Sequence, residues 1–276
     1  MIKNYFKIAF RNLIKNRMLS VINIGGLALG MAGAILLFLN IQYELNVEQF
    51  HEKKDNIYKA YNKAVVNGKV ECWSVTPPPL GPALRKDYPE IKDVVRVAPT
   101  EKLFSYGDTK LEANGNFADA SFLKMFSFPL IKGDARSVLT DIHSIVITEQ
   151  LAKKIFGNAD SMNKIILADN ADNFTVTGVL KDLPYNTKFR FEYLLPWDFL
   201  KAKGIEHPQW DYHYVTTYAE LQPLANIDAL NKKISNITRK NSDKNQGESI
   251  FLYPLAKIIY TENSKMENLL AVVLIR

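Results

Sequence analysis

The chain has 276 residues, 47% of them apolar and 23% charged, with a formal net charge of +6 and a single cysteine. That balance excludes a disordered chain and a disulfide-stapled scaffold. Five basic and no acidic side chains fall in the first eighteen residues, so the remainder sets 30 basic against 29 acidic residues. The positive charge belongs to one arm and gives no support to nucleic-acid binding.

Residues 1–18 form that arm. Lys3, Lys7, Arg11 and Lys15 recur at four-residue steps, with Arg17 behind them, while Ile2, Phe6, Phe10 and Leu13 occupy another face. The pattern predicts a basic amphipathic helix lying in the cytoplasmic membrane interface, with membrane lipid as its partner. Residues 18–43 then carry no Asp, Glu, Lys, Arg or His. As a helix, the apolar core at 21–41 rises roughly 32 Å, enough for a hydrocarbon layer of about 30 Å. The prediction is a transmembrane helix over 19–43. A cleavable signal peptide has an apolar core of about 7–15 residues and a small-residue cleavage site. Here the core is longer and runs into LNIQYELN, so the segment reads as an uncleaved anchor. Basic short loops stay inside, which puts the arm in the cytoplasm and residues 44 onward outside. Within the span Gly26, Gly30 and Ala34 repeat at four-residue steps, a strip on which a second helix can pack closely.

The outer segment, 44–260, reads as mixed strand and helix. Residues 57–66 and 69–75 predict a hairpin turning at Asn67-Gly68. A short helix at 81–87 follows the proline cluster 77–79, and strands follow at 93–98, 103–106 and 109–114. A helical turn runs from Asp119 to Phe126. The apolar run SIVIT, 144–148, is a buried strand leading into a helix at 149–156 that Gly157 ends. Residues 164–168 and 174–183 form a second hairpin, and Phe189, Phe191 and Tyr193 alternate with Arg190 and Glu192 in a further strand. A strand at 214–221, one helix at 226–239 and a last strand at 250–255 complete the segment. No steady strand–helix alternation appears, so the fold class is α+β with two sub-lobes.

Chemistry-bearing motifs are absent from the sequence. No nucleotide-cradling G-x-x-x-x-G-K-[ST] occurs, nor any G-x-S-x-G, H-E-x-x-H or C-x-x-C. His207, Asp211 and His213 lie close in sequence but share no helix face, so they read as a surface loop. His51 and His143 stand alone, Asp182 and Glu192 read as surface carboxylates, and Cys72 beside Trp73 reads as a packing residue. No catalytic residue, metal site or cofactor is expected.

Several stretches in order carry a family resemblance: KNYFKIAFRNLIKNRMLSVINIGGLALGMA (3–32), QFHEKKDNIYKAY (49–61), PPPLGPALRKDYPEIKDVVRV (77–97), FADASFLKMFSFPLIKGDARSVLTDIHSIVITEQLAKKIFGN (117–158) and FTVTGVLKDLP (174–184). Together they resemble the MacB-like periplasmic core domain of FtsX-type ABC-transporter permeases, in the form typical of Bacteroidetes. The resemblance implies an inner-membrane permease subunit with one N-terminal span, a large extracytoplasmic domain and three later spans. It further implies a homo- or heterodimer with another permease, and a separate cytoplasmic ATPase that drives export through movement of the outer domain. The family continues past Tyr260 into a second span, whereas here 269–275 holds only seven apolar residues. The tail, 261–276, is therefore expected to be truncated. A single-pass anchored sensor or interaction module is the alternative reading.

Overall fold

The computed structural model describes residues 2–244 and 247–258; the tail at 261–276, with its apolar run, lies outside them. The chain divides into two units, Met1–Asn46 and Val47–Arg276.

The first unit is a pair of helices. Helix α1 (Ile2–Lys15) ends at a turn on Asn16, and α2 (Arg17–Asn46) continues for 30 residues. Ser20 steadies the junction by donating its hydroxyl to the Leu13 carbonyl at 3.0 Å. Helix α2 starts before and ends beyond the predicted 19–43, and none of its residues is buried. It is the one helix among the described residues long and apolar enough to cross a membrane.

Among the described residues, the second unit is built on a single connected sheet of eleven strands. Strand β1 (Ile57–Val66) turns into β2 (Lys69–Trp73) through Asn67 and Gly68, both at positive φ, as a two-residue hairpin of this twist requires. Helix α3 (Leu80–Asp87) follows the prolines. Then β3 (Ile91–Tyr106) runs unbroken for 16 residues and pairs along β4 (Thr109–Ala118). Two separate strands were expected where β3 is one. Pro99 lies on a stretch between Val97 and Phe104 where the edge of β3 away from β4 has no ladder partner, so its missing N–H costs no sheet bond.

Helix α4 (Phe122–Met125) and β5 (Leu130–Lys132) lead to β6 (Ser144–Thr148), whose five residues are all buried. Thr148 caps α5 (Glu149–Phe156) by accepting from Leu151 N, and Gly157 ends it at φ 62°. Strands β7 (Ile165–Ala168) and β8 (Asp172–Leu180) form the second hairpin, with Asp169 and Asn170 both at positive φ. Strand β9 (Tyr193–Pro196) is shorter than predicted. Phe189 and Phe191 are buried as their alternation foretold, but side chains hold the backbone before β9: Thr187 Oγ1 takes the Phe189 N–H and the Arg190 guanidinium donates to the Thr187 carbonyl. Helix α6 (Trp197–Ala202) and β10 (Thr216–Leu221) follow. The predicted helix at 226–239 is two, α7 (Ile227–Ile234) and α8 (Ile237–Asn241). They part where the Ser235 carbonyl accepts from Ile250 N on β11 (Ser249–Pro254) and so leaves the helical ladder.

Strand pairing gives the two sub-lobes their form. From β3 the ladder passes to β4, β9, β6, β8 and β7, and β7 returns to β3, closing a ring of six strands. Alternate residues, including Phe104, Ile145, Ile147, Ile166, Phe174, Val176, Tyr193 and Leu195, fill the ring, and α5 and α6 supply Leu151, Ile155 and Trp197 to the same cluster. The other half is an open sheet in the order β11-β1-β10-β3. There Ala60, Val94, Ala219 and Leu252 pack against α3, α7 and α8. A third cluster, rich in phenylalanine, joins Val95, Val97, Val146 and Leu194 to the 122–128 and 189–191 segments.

Candidate coupling site

The predicted arm residues lie together on one helix. Lys3, Lys7, Arg11 and Lys15 are exposed along α1, and Arg17 opens α2. Lys15 falls in the last turn of α1, where a cation complements the negative end of the helix dipole. Phe6, Phe10 and Leu13 on the same helix are also exposed. Gly26, Gly30 and Ala34 follow one another along α2 and are exposed too; a Cβ added at Gly26 or Gly30 would meet nothing within 4 Å. The arm and the small-residue strip occupy different helices and do not form one site.

Directly after α2 the chain enters the second unit through a buried polar clamp that sequence reasoning missed. Glu48 and His51 are each 1% exposed. Ser127 N donates to His51 Nδ1 at 3.0 Å, so the ring carries its proton on Nε2 and donates it to Glu48 Oε2 at 2.9 Å. Thr187 Oγ1 donates to both oxygens of Glu48, at 2.9 and 3.0 Å, and Lys188 N donates to Oε1 at 2.7 Å. Three donors around one carboxylate, making four contacts, offset the cost of burying it. The imidazole is flanked by Phe50, Phe126 and Phe128 with ring centroids 4.1–5.2 Å away. The neighbours are pinned as well: Gln49 donates to the Ala256 carbonyl, Glu52 N to Ser127 Oγ, and Lys53 to the Lys124 carbonyl and Glu220. His51, which stood alone in the sequence, therefore links Glu48, three residues before it, to Ser127, 76 residues after it.

A second node joins the ring to the open sheet. Arg96 on β3 forms a fork with Asp119, Nη2 to Oδ1 at 2.7 Å and Nε to Oδ2 at 3.0 Å, and Nη1 donates to Glu206 at 3.0 Å. Its guanidinium lies 4.2 Å from the ring centroid of Trp197, whose Nε1 donates to the same Glu206 oxygen at 2.8 Å. The planar cation is thus held by charge, by hydrogen bonds and by an aromatic face at once.

The remaining candidates are dispersed. His207 rests beside the Tyr212 and Tyr214 rings, and Asp211 pairs with Lys244, which holds its carboxyl below the usual range. His213 Nε2 stands 3.2 Å from Glu248 Oε2, yet their orientation makes no hydrogen bond. Burial pushes the His213 pKa down and that of Glu248 up, so both are biased toward neutrality. Asp182 accepts from Gln150 N at the start of α5, and Glu192 pairs with Lys154. Cys72 is buried on β2. Among the described residues no group of three or more His, Cys, Asp or Glu could hold a metal ion.

The ring-plus-sheet domain has known counterparts. The family model of the MacB-like periplasmic core domain matches residues 20–237. The chain belongs to that family. A domain assigned to a permease of Porphyromonas gingivalis aligns at 21% identity with a TM-score of 0.64, covering 79% of this chain and 99% of its own length. The extracellular domain of the ABC-type transporter YknZ from Gram-positive bacteria aligns at 16% identity with a TM-score of 0.54, over 71% of this chain and 100% of its own. The periplasmic region of MacB from Actinobacillus actinomycetemcomitans gives 12% identity and a TM-score of 0.54, over 75% and 94%. No curated protein sequence matches the chain. The MacB-like match begins inside α2 and stops before β11, although β11 pairs along β1 from Tyr58 to Lys63. The chain therefore carries a MacB-like periplasmic domain of ABC-type transporter permeases, mixed α+β, behind one N-terminal apolar helix.

Proposed function

We propose that this chain is the membrane subunit of an ABC exporter, in which a separate cytoplasmic ATPase moves the outer domain. In this reading the arm 1–18 lies in the cytoplasmic interface, α2 crosses the inner membrane, and the domain from Val47 onward is extracytoplasmic. A second permease subunit, identical or not, packs on Gly26, Gly30 and Ala34. ATP hydrolysis belongs to the partner chain, since this sequence has no nucleotide-cradling loop.

The observation that carries the reading is the clamp. A tether serving only as an anchor has no need of repeated bonds, whereas residues 48–53 are tied to positions 124 and 127, 186–188, 220 and 256. A displacement entering the outer domain at Val47 is delivered into its core, because packed interiors transmit strain rather than absorb it.

The test is co-purification of the full chain from membranes with its ATPase, followed by turnover measurements with wild type and with Glu48→Ala. Co-elution of an ATPase whose turnover falls in the variant, with subunit contact retained, is the expected result. An ATPase that never co-elutes, or one indifferent to the variant, removes the coupling reading. Cysteines placed at Gly26 and Gly30 should cross-link between subunits, and a tag at the N-terminus should be reachable only from the cytosol.

A further inference from the structure

Strands β1 and β2 reach past the rest of their sheet. The pairing of β1 with β10 stops at Lys59 and that with β11 at Lys63, so residues 64–71 stand clear as a two-stranded tip. Among the described residues β2 pairs with β1 alone, which leaves its other edge without a ladder. In a two-residue hairpin the residues flanking the turn, here Val66 and Lys69, exchange their backbone bonds. Alternation along β2 then turns the peptide groups of Lys69 and Glu71 toward β1, and those of Val70 and Cys72 toward the open edge.

The side chains of the tip are sorted by face. Val65 and Val70 lie opposite each other on one face, and Val65 is 69% exposed. On the other face Val66 lies opposite Lys69, and Ala64 opposite Glu71. Lys69 and Glu71 are both exposed, and neither side chain makes an ion pair or a hydrogen bond among the described residues. An open edge flanked by exposed valines is a template for another strand, and a lone lysine would guard it by repulsion. A lysine and a glutamate two residues apart do the reverse when the incoming strand is an antiparallel copy of the same sequence.

We propose that β2 pairs antiparallel with β2 of a second copy of this chain, about a two-fold axis at Val70. Charge selects that register. With Val70 opposite its own counterpart, Lys69 of each copy faces Glu71 of the other; moving the axis to Lys69 or to Glu71 sets like charges directly opposite, which is unfavourable. The outward peptide groups of the two Val70 residues then exchange a pair of backbone bonds. Val65 and Val70 with their two counterparts form one apolar row across four strands, which covers a flank of the exposed Val65. The contact is self-complementary and closes at two copies. Stable complexes bury about 1,200–2,000 Å², more than a hairpin tip offers, so this pairing needs chains already held close by a shared membrane. In that respect it rests on the identical-subunit form of the reading above.

The test is oxidative cross-linking of the full chain in membranes, with Val70→Cys in a Cys72→Ala background and dimer read on a non-reducing gel. Opposed Cα atoms in such a pair are about 5.5 Å apart, within disulfide reach. Val70→Cys should cross-link, and Asp108→Cys, at the exposed turn between β3 and β4, should not. Adding Lys69→Glu should lower the yield about tenfold, because carboxylates then face carboxylates at two points, and adding Glu71→Lys as well should restore it. Cross-linking at Gly26→Cys but not at Val70→Cys overturns the hairpin pairing and leaves the membrane-helix contact standing. No cross-link at either position removes the self-pairing subunit, and this inference falls with it. Equal cross-linking at Asp108→Cys, or a yield indifferent to the charge reversals, also overturns it. Should Cys72→Ala fail to fold, the same series is run with Cys72 kept and the unaltered chain as background.

Discussion

The two halves of the MacB-like domain solve the same burial problem in opposite ways. The ring half closes on itself, because β7 pairs with both β8 and β3, so its apolar residues face inward and need no helix across the middle. The open half leaves its sheet unclosed and covers one face with α3, α7 and α8. Closure removes unpaired edges but imposes tight tolerances inside. At Gly115 a Cβ would stand 2.4 Å from the Tyr193 ring, whereas at Gly81 in the open half it would stand 2.9 Å from the Arg96 stem. A ring is therefore the less forgiving half, and an open sheet can yield by shifting a helix such as α3, which carries Gly81.

Removing the node between the halves should cost most. Arg96→Ala leaves Asp119 and Glu206, both of low exposure, without their cation, and a loss of about 3 kcal/mol is expected in urea unfolding of the full chain in micelles. A loss under 1 kcal/mol would mean the halves do not depend on this contact. Next comes the contrast of tolerances. Gly115→Val should destabilise by about 2–3 kcal/mol through overpacking against Tyr193, and Gly81→Ala by about 1 kcal/mol or less. Equal effects would erase the distinction between a stiff ring and a yielding sheet.

A smaller effect concerns the phenol that fills the ring. Tyr193 Oη is buried without a hydrogen-bond partner, although Thr100 lies near enough to pull its pKa slightly down. Burial dominates and raises that pKa above the ordinary value. A raised pKa gives stability that is complete below about pH 10 and fades as pH climbs toward the folded value. Tyr193→Phe should therefore be neutral or stabilising by up to about 1 kcal/mol at pH 7, and should flatten the alkaline decline. The smallest expected change lies at His213. Its depressed pKa gives stability present above about pH 6.5 and lost as pH falls, so the gap between wild type and His213→Gln should narrow on acidification from pH 7 to 5. A gap independent of pH would show that His213 keeps its ordinary value.

What the sequence revealed follows from how local each cause is. Both hairpins were legible because Asn67-Gly68 and the 169–173 turn carry their own backbone preferences. Helix α5 was legible because Gly157 stops it where the apolar spacing ends. The family resemblance, read from ordered motifs, is matched over 20–237. Ring closure was not legible, since nothing in the residues of β7 states that they will find two partners. Nor was the clamp: Glu48 meets Thr187 across 139 residues, and His51 meets Ser127 across 76. Hydrophobic period reports which face of an element is covered, but not which distant polar group will meet it. The break between α7 and α8 has the same origin, a carbonyl claimed by a strand that comes later in the chain.

Strand β3 has one further consequence. Its first part, to Val97, carries β10, its last part carries β7, and β4 runs along it from Val97 to Tyr106. No cut in the chain can release either half with its walls intact, because each would lose or strand a share of the same beam. Expressing the halves as separate polypeptides, or grafting one onto a relative at this strand, should yield insoluble material. Evolution can exchange what hangs from the loops, but it inherits the frame as one piece.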